Sequence, residues 1–221
     1  DMHFAGRMIN SPNDYDVVIK LIPTKNDNYF VCMRLCSIQD NRFAYRKNVL
    51  PTSMHPSQAA LIVSLAKPYL KETAQIMDPF CGVGTLLIER AHLVPAREIY
   101  ATDTYGDAIT MGRENAEFAK TRINFIHRDF FDFRHDYKFD ELITDMPVRN
   151  RQTKAEMELF YERFFDKAAE HLVSGGIIVM YSNEIGFVKK QIRLRVEYRL
   201  LQETCILDKN DFYLFVIRYE D

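Results

Sequence analysis

The sequence predicts an α/β fold: a doubly wound, mostly parallel sheet with helices on both faces, closed at the carboxyl end by an antiparallel hairpin. Three observations carry that expectation. From Ser57 to Tyr181, short runs rich in β-branched and aromatic residues alternate with helix-length stretches, the order of repeated βα units. The first strand-to-helix passage is a glycine turn, Met77-Asp78-Pro79-Phe80-Cys81-Gly82-Val83-Gly84-Thr85. Beyond this alternation two β-rich runs, Arg195–Leu207 and Asp211–Tyr219, flank the turn formers Asp208-Lys209-Asn210.

The elements follow in order. Asp16–Ile22 and Tyr29–Leu35 flank Pro23-Thr24-Lys25-Asn26-Asp27-Asn28 and read as a hairpin. Arg42–Lys47 is polar and basic, and Pro51 and Pro56 then interrupt the chain. A boundary near residue 50 is expected, separating a hairpin and linker over 1–50 from a domain over 51–221. Ser57 is expected to cap a helix through Ala59, Leu61, Ile62 and Leu65 that stops near Pro68. Next come strand Ala74–Met77, helix Thr85–Leu93, strand Glu98–Thr102 and helix Asp107–Ala119. Strands Ile123–His127 and Phe139–Thr144, helix Ala155–Leu172 and strand Ile177–Tyr181 complete the alternation.

Composition narrows the function classes. At 221 residues the chain is one full domain with room for a small appendage. Hydrophobic residues at 47% against 27% charged give it a core to bury, which sets it apart from disordered chains. The formal charge of −2 means that a nucleic-acid surface has to be a local basic patch. The longest charge-free stretch, Asn48–Ala66, contains Pro51, His55, Pro56 and Gln58 and is no membrane span. No signal peptide is visible, and a start at Asp1 instead of Met points to a piece of a longer protein. Cys32, Cys36, Cys81 and Cys205 lack zinc-ligand spacing, so no metal is expected; thiols without a disulfide pattern suit a reducing, cytoplasmic compartment.

The glycine turn carries the first chemistry. Gly82 and Gly84 let backbone approach a ligand where a Cβ would clash. A dinucleotide fingerprint needs a third glycine where Leu87 stands, and a P-loop needs a Lys that is missing. Asp103, 19 residues past Gly84 at the next strand end, can accept both hydroxyls of a ribose or cap a helix. Asp129 ends the third strand beside Phe130; it can accept from an adenine amino group, or be a solvated loop acid. Ligands of open α/β sheets bind at these carboxyl ends.

This constellation resembles the class I S-adenosylmethionine-dependent methyltransferases, whose sheet is Rossmann-like with a terminal antiparallel hairpin, over roughly residues 50–221. The resemblance implies S-adenosylmethionine as cofactor. It assigns the turn of Asp78, Phe80, Cys81, Gly82, Gly84 and Thr85 to the methionine moiety, Asp103 to the ribose, and Asp129 with Phe130 to the adenine. Downstream, Asp145-Met146-Pro147-Val148 resembles the (D/N)-P-P-(Y/F) motif of methyltransferases acting on amino groups. An exocyclic amine is a poor nucleophile because its lone pair is delocalised. The Asp145 carboxylate and the Met146 carbonyl can accept its two N–H groups and aim the lone pair at the methyl, while Pro147 stiffens the turn.

The run Asp78-Pro79-Phe80-Cys81-Gly82-Val83-Gly84-Thr85-Leu86-Leu87-Ile88-Glu89, taken with Asp145-Met146-Pro147, is similar to the THUMP-associated RNA methyltransferases. These make N2-methylguanosine in tRNA or rRNA. The resemblance implies an RNA partner and a preceding ferredoxin-like segment and THUMP domain, which this sequence does not contain. It also reads Arg46–Pro56 as the linker into the catalytic domain, with His55 as a structural or capping residue. Where that family carries an aromatic and a glycine after the proline, this chain has Val148 and Arg149. The ring stacks the extruded base, so its replacement bears on the substrate; Tyr161 or Phe80 are the candidate substitutes. Arg149, Arg151 and Lys154 form a short basic loop suited to a base plane or a phosphate, or simply to solvent. Three readings stay open: RNA guanine-N2 methylation, a methyltransferase-like binding module, and amino methylation of DNA adenine or protein glutamine.

Overall fold

A computed structural model describes residues 17–34, 41–207 and 211–221. The chain divides into two units, residues 1–42 and 43–221. In the first, β1 (Val18–Pro23) pairs antiparallel with β2 (Tyr29–Arg34), with Val18 opposite Arg34 and Pro23 opposite Tyr29. The expected hairpin is there; Asp16, Leu35 and Cys36 lie outside the described residues.

The second unit begins at Phe43, ahead of the boundary expected near residue 50. Tyr45 is the reason: it is buried and donates to Glu89 Oε1 at 2.6 Å, so the linker is part of this core. Helix α1 (Pro56–Ala66) follows, capped by His55 and not by Ser57. Pro56 takes the first helical position, where its missing N–H costs nothing, which moves Ser57 inside the first turn; its N–H donates to His55 Nδ1. Then come β3 (Gln75–Asp78), α2 (Thr85–Leu93), β4 (Glu98–Asp103), α3 (Gly106–Phe118), β5 (Asn124–His127) and β6 (Phe139–Asp145). Helix α4 (Lys154–His171), β7 (Leu172–Ser182), α5 (Ile185–Leu194), β8 (Tyr198–Leu207) and β9 (Phe212–Tyr219) complete it.

The seven strands lie in the order β5-β4-β3-β6-β7-β9-β8, parallel from β5 to β7, with β9 antiparallel to both β7 and β8. The chain leaves β3 towards β4 and β5, then returns to place β6 on the other side. The crevice between β3 and β6 is thus the topological switch point. Period-two alternation sends successive residues to opposite cores. Ile76, Ile143, Val179 and Val216 pack with α1, α2 and α3, while Met77, Leu142, Ile178 and Phe215 pack with α4 and α5.

Two departures from the sequence reading have local causes. Strand β7 starts at Leu172, ahead of the expected Ile177, and runs through Gly175 and Gly176; a Cβ on Gly176 would meet the Val173 carbonyl oxygen at 2.8 Å. Helix α5 is unanticipated, because Glu184 at its start makes no side-chain cap.

One buried ion pair ties a helix to the sheet. Arg90 of α2 donates from Nε and Nη2 to both carboxylate oxygens of Glu141 on β6, at 2.8–3.2 Å, with both side chains almost wholly out of solvent. The remaining guanidinium contacts go to the carbonyls of Val94 and Lys71. Burial raises the Glu141 carboxyl and Arg90 opposes it. Removing one partner strands a charge, so Arg90→Met is expected to cost about 3–5 kcal/mol in urea unfolding. The double variant Arg90→Met/Glu141→Leu should recover most of that loss.

Candidate active site

The same alternation that divides the cores builds the site. Asp78 lies two residues past Ile76, Asp103 two past Ala101 and Asp145 two past Ile143, so all three acids point to the α1–α3 face. They line one cavity of about 560 Å³ at the carboxyl edge. Phe80, Cys81, Gly82 and Thr85 from the turn, and Met146, Pro147, Val148 and Arg149 from the loop after β6, line it too.

The turn is held from below. Thr102 on β4 donates its hydroxyl to the Pro79 carbonyl at 2.9 Å, and its own carbonyl accepts from Cys81 N at 3.0 Å. Asp103 accepts from Gly82 N at 2.9 Å and from Tyr105 N at 2.8 Å, fixing its carboxylate beside the turn. Gly84 starts α2 at φ +79°, and a Cβ there would come within 2.8 Å of the Phe125 ring. Gly82 differs: at φ +50° its missing Cβ would meet open space. That glycine leaves a bare stretch of backbone facing the cavity.

A fourth wall escapes sequence reasoning. Leu50, Thr52, Ser53 and Met54, just ahead of α1, line the cavity. Asn115 of α3, fully buried, places them: its Oδ1 accepts from Lys47 N and Asn48 N, and its Nδ2 donates to the carbonyls of Asn48 and Val83. One amide thereby joins the lead-in segment, α3 and the glycine turn. The pair Pro51 and Pro56 and the resemblance of Arg46–Pro56 to a linker mark the segment without saying that it lines the site.

Electrostatics follow from burial. The Asp78 carboxyl is pushed up to about 8 by burial, against a hydrogen bond from Phe80 N, with Asp145 and Asp103 adding repulsion. Burial raises Asp145 to about 7. The Cys81 thiol is pushed well above its ordinary value, first by burial and then by Asp78 and Asp103, which keeps it from acting as a thiolate. Thr85 Oγ1 is buried against the cavity without a hydrogen-bond partner among the described residues.

Several expected residues stand elsewhere. Asp129 does not line the cavity; its Oδ1 accepts from Phe131 N at 2.9 Å and caps the short 3₁₀ turn Phe130–Asp132. The Phe130 ring is 1% exposed and packs among Phe80, Phe164 and His171, so burial beneath α4 removes it as a stacking surface. Arg151 is exposed and outside the cavity lining. Arg149 lies 3.6 Å from Glu184 as an ion pair. Tyr161 is fully buried with its hydroxyl on Ser182, which leaves Phe80 as the only aromatic side chain lining the cavity among the described residues. Met146 N donates to the Tyr181 carbonyl at 2.9 Å, which fixes the Asp145-Met146-Pro147 loop to β7.

The profile of the UPF0020 family, described as RMKL-like, methyltransferase domain, matches residues 44–204. The chain belongs to this family. The tRNA (guanine(10)-N2)-dimethyltransferase of Methanothermobacter thermautotrophicus is 31% identical over 187 residues, 79% of this chain and 54% of that protein. The release factor glutamine methyltransferase of Lactococcus lactis subsp. lactis is 26% identical over 155 residues, 62% of this chain and 56% of that one. The chain thus spans about half the length of these curated relatives. Among solved structures, TrmN from Thermus thermophilus matches with a TM-score of 0.75 at 20% identity, over 99% of this chain and 64% of that one. An S-adenosylmethionine-dependent methyltransferase from Clostridium acetobutylicum matches with a TM-score of 0.61 at 10% identity, over 82% and 99%. Both share the fold, which is that of the class I methyltransferases.

The family and fold use S-adenosylmethionine, and the cavity suits it. A sulfonium and an ammonium call for carboxylates, of which three face the cavity. The cofactor's α-carboxylate calls for a donor, which the unpartnered Thr85 hydroxyl at the start of α2 offers, while Gly82 leaves the space beside it clear of a side chain. No helix among the described residues is long and apolar enough to cross a membrane.

The raised Asp78 carboxyl has a stability consequence. Its folded pKa, about 8, exceeds the unfolded value, so the fold retains this proton where the unfolded chain gives it up. Its contribution is fully present below the unfolded pKa and is lost as pH rises towards 8. Asp78→Asn should therefore melt higher than the unaltered chain at pH 9, by at least about 3 °C in calorimetry, with the difference narrowing towards pH 5.

Proposed function

We propose that the chain is the catalytic domain of a cytoplasmic RNA methyltransferase acting on the exocyclic N2 amine of a guanosine in tRNA or rRNA. The observation that carries the reading is Asp145, half-buried at the end of β6 beside Met146 and Pro147 in the cavity that holds the glycine turn. The relative that modifies the N2 amine of a tRNA guanine supports the substrate class. When bound, S-adenosylmethionine supplies an electrophilic methyl group on a sulfonium.

In this reading the chain's residues do the rest. Gly82 lets the backbone close on the methionine end, and Asp103, anchored by Gly82 N and Tyr105 N, turns to the ribose hydroxyls. Asp78 faces the ammonium, a cation that draws its raised carboxyl into the ionised form. Asp129, at the carboxyl end of β5, marks the adenine side, although Phe130 supplies no ring there. Asp145 and the Met146 carbonyl accept the two N–H groups of the target amine, holding its lone pair in line with the methyl. As the N–C bond forms, the nitrogen gains positive charge and an acidic proton, which Asp145 accepts. Arg149 borders the place where the nucleotide enters, beside Val148, which is 51% exposed, and Arg151 adds a second exposed cation in the same loop.

Val148 also favours a second reading. With no ring after Pro147, the pocket suits a flexible amide as well as a base, and the glutamine methyltransferase relative supports it. Radiolabelled methyl transfer to tRNA, rRNA and a glutamine peptide separates the two.

The proton step fixes a pH profile. Asp145 has to be ionised to accept, so kcat on RNA should fall about tenfold per unit below pH 7 and level off above it. Asp145→Asn should lower kcat by about 10²-fold or more and flatten the profile, with cofactor affinity retained in calorimetry.

A further inference from the structure

Phe80 is the inner end of a longer row of rings. Phe160 on α4 lies 5.4 Å from it between centroids, and Phe131 in the 3₁₀ turn lies 5.5 Å from Phe160, edge to face. All three are half-buried, resting on Phe130 and Phe164, which are out of solvent. At the outer end the Arg163 guanidinium sits 4.2 Å from the Phe131 ring centroid. Arg134 donates to the carbonyls of Phe131 and Phe133. Both arginines are exposed, and neither forms an ion pair among the described residues. Other cations on the same side are neutralised, Arg195 by Asp166 and Lys190 by Glu158.

Half-exposed rings on a rigid apolar base, interleaved with unpaired guanidinium groups, suit a ligand with flat faces and negative charge. Single-stranded nucleic acid has both: each base offers a π-face and each linkage a phosphate. We propose that Phe160, Phe131 and Arg163 form a ledge on which a nucleotide flanking the methylated one stacks, so that the RNA enters as an unpaired strand. This rests on the RNA reading and deepens it. The ledge supplies, next door, the stacking that Val148 cannot give beside the amine.

The test uses the full chain, a fluorescent single-stranded oligoribonucleotide of about ten nucleotides and an unlabelled duplex competitor, read by anisotropy. Arg163→Ala and Phe131→Leu should each weaken binding about fivefold or more, while S-adenosylmethionine affinity by calorimetry stays within about twofold. Arg163→Lys, which keeps the charge but loses the plane, should stay weak. The duplex should compete poorly. Unchanged RNA affinity in Arg163→Ala overturns the ledge, as does a duplex that competes as well as the single strand. Loss of cofactor affinity instead assigns these rings to the adenosine end of the cofactor and also overturns it. If the unaltered chain binds no RNA, the RNA reading falls and takes the ledge with it. Should Phe131→Leu fail to fold, the exposed Arg163 variants decide alone.

Discussion

The two-residue alternation of β3, β4 and β6 is the constraint on which the site depends. A strand cannot choose where its last side chain points once its apolar residues are seated. With Ile76, Ala101 and Ile143 packed under α1–α3, Asp78, Asp103 and Asp145 have to emerge on the same face at the same edge. A one-residue slip in any of the three would bury an acid under α4 and remove it from the cavity. The geometry of the cavity and the core are therefore set by the same register, and neither can drift without the other.

That arrangement places acids where water is scarce, and the raised carboxyls of Asp78 and Asp145 are the result. Stability elsewhere offsets the strain: the Thr102 bonds under the turn and the capping box of Thr153 and Glu156 on α4. A cationic ligand relieves the repulsion, so the cavity is at its least comfortable when empty. Such a site holds its residues ready at a cost to the fold, a common arrangement where chemistry needs charge out of solvent.

Much of this was legible in the residues. Strand ends, helix spacing and the glycine turn led to a mostly parallel sheet closed by an antiparallel hairpin, and the acids at the ends of β3, β4 and β6 did converge. Asp129 shows where such reading stops, because an acid after a strand looks the same whether it faces a ligand or caps a 3₁₀ turn. Phe130 is a matter of tertiary packing: only the docking of α4 decides that its ring is covered. Helix α5 has apolar residues at helical spacing, Ile185, Val188 and Ile192, but no capping side chain to announce its start. The wall Leu50–Met54 has no periodicity and reads only as part of a linker, because Asn115 holds the segment from 67 residues away in sequence.

Asn115 has a practical corollary. Its amide is fully committed, with acceptor and donor both engaged on backbone of the lead-in segment and the glycine turn. Lengthening or shortening the chain between Tyr45 and Pro56 would pull on the turn itself. Anyone grafting a new recognition module onto this scaffold should therefore keep residues 45–56 at their present length.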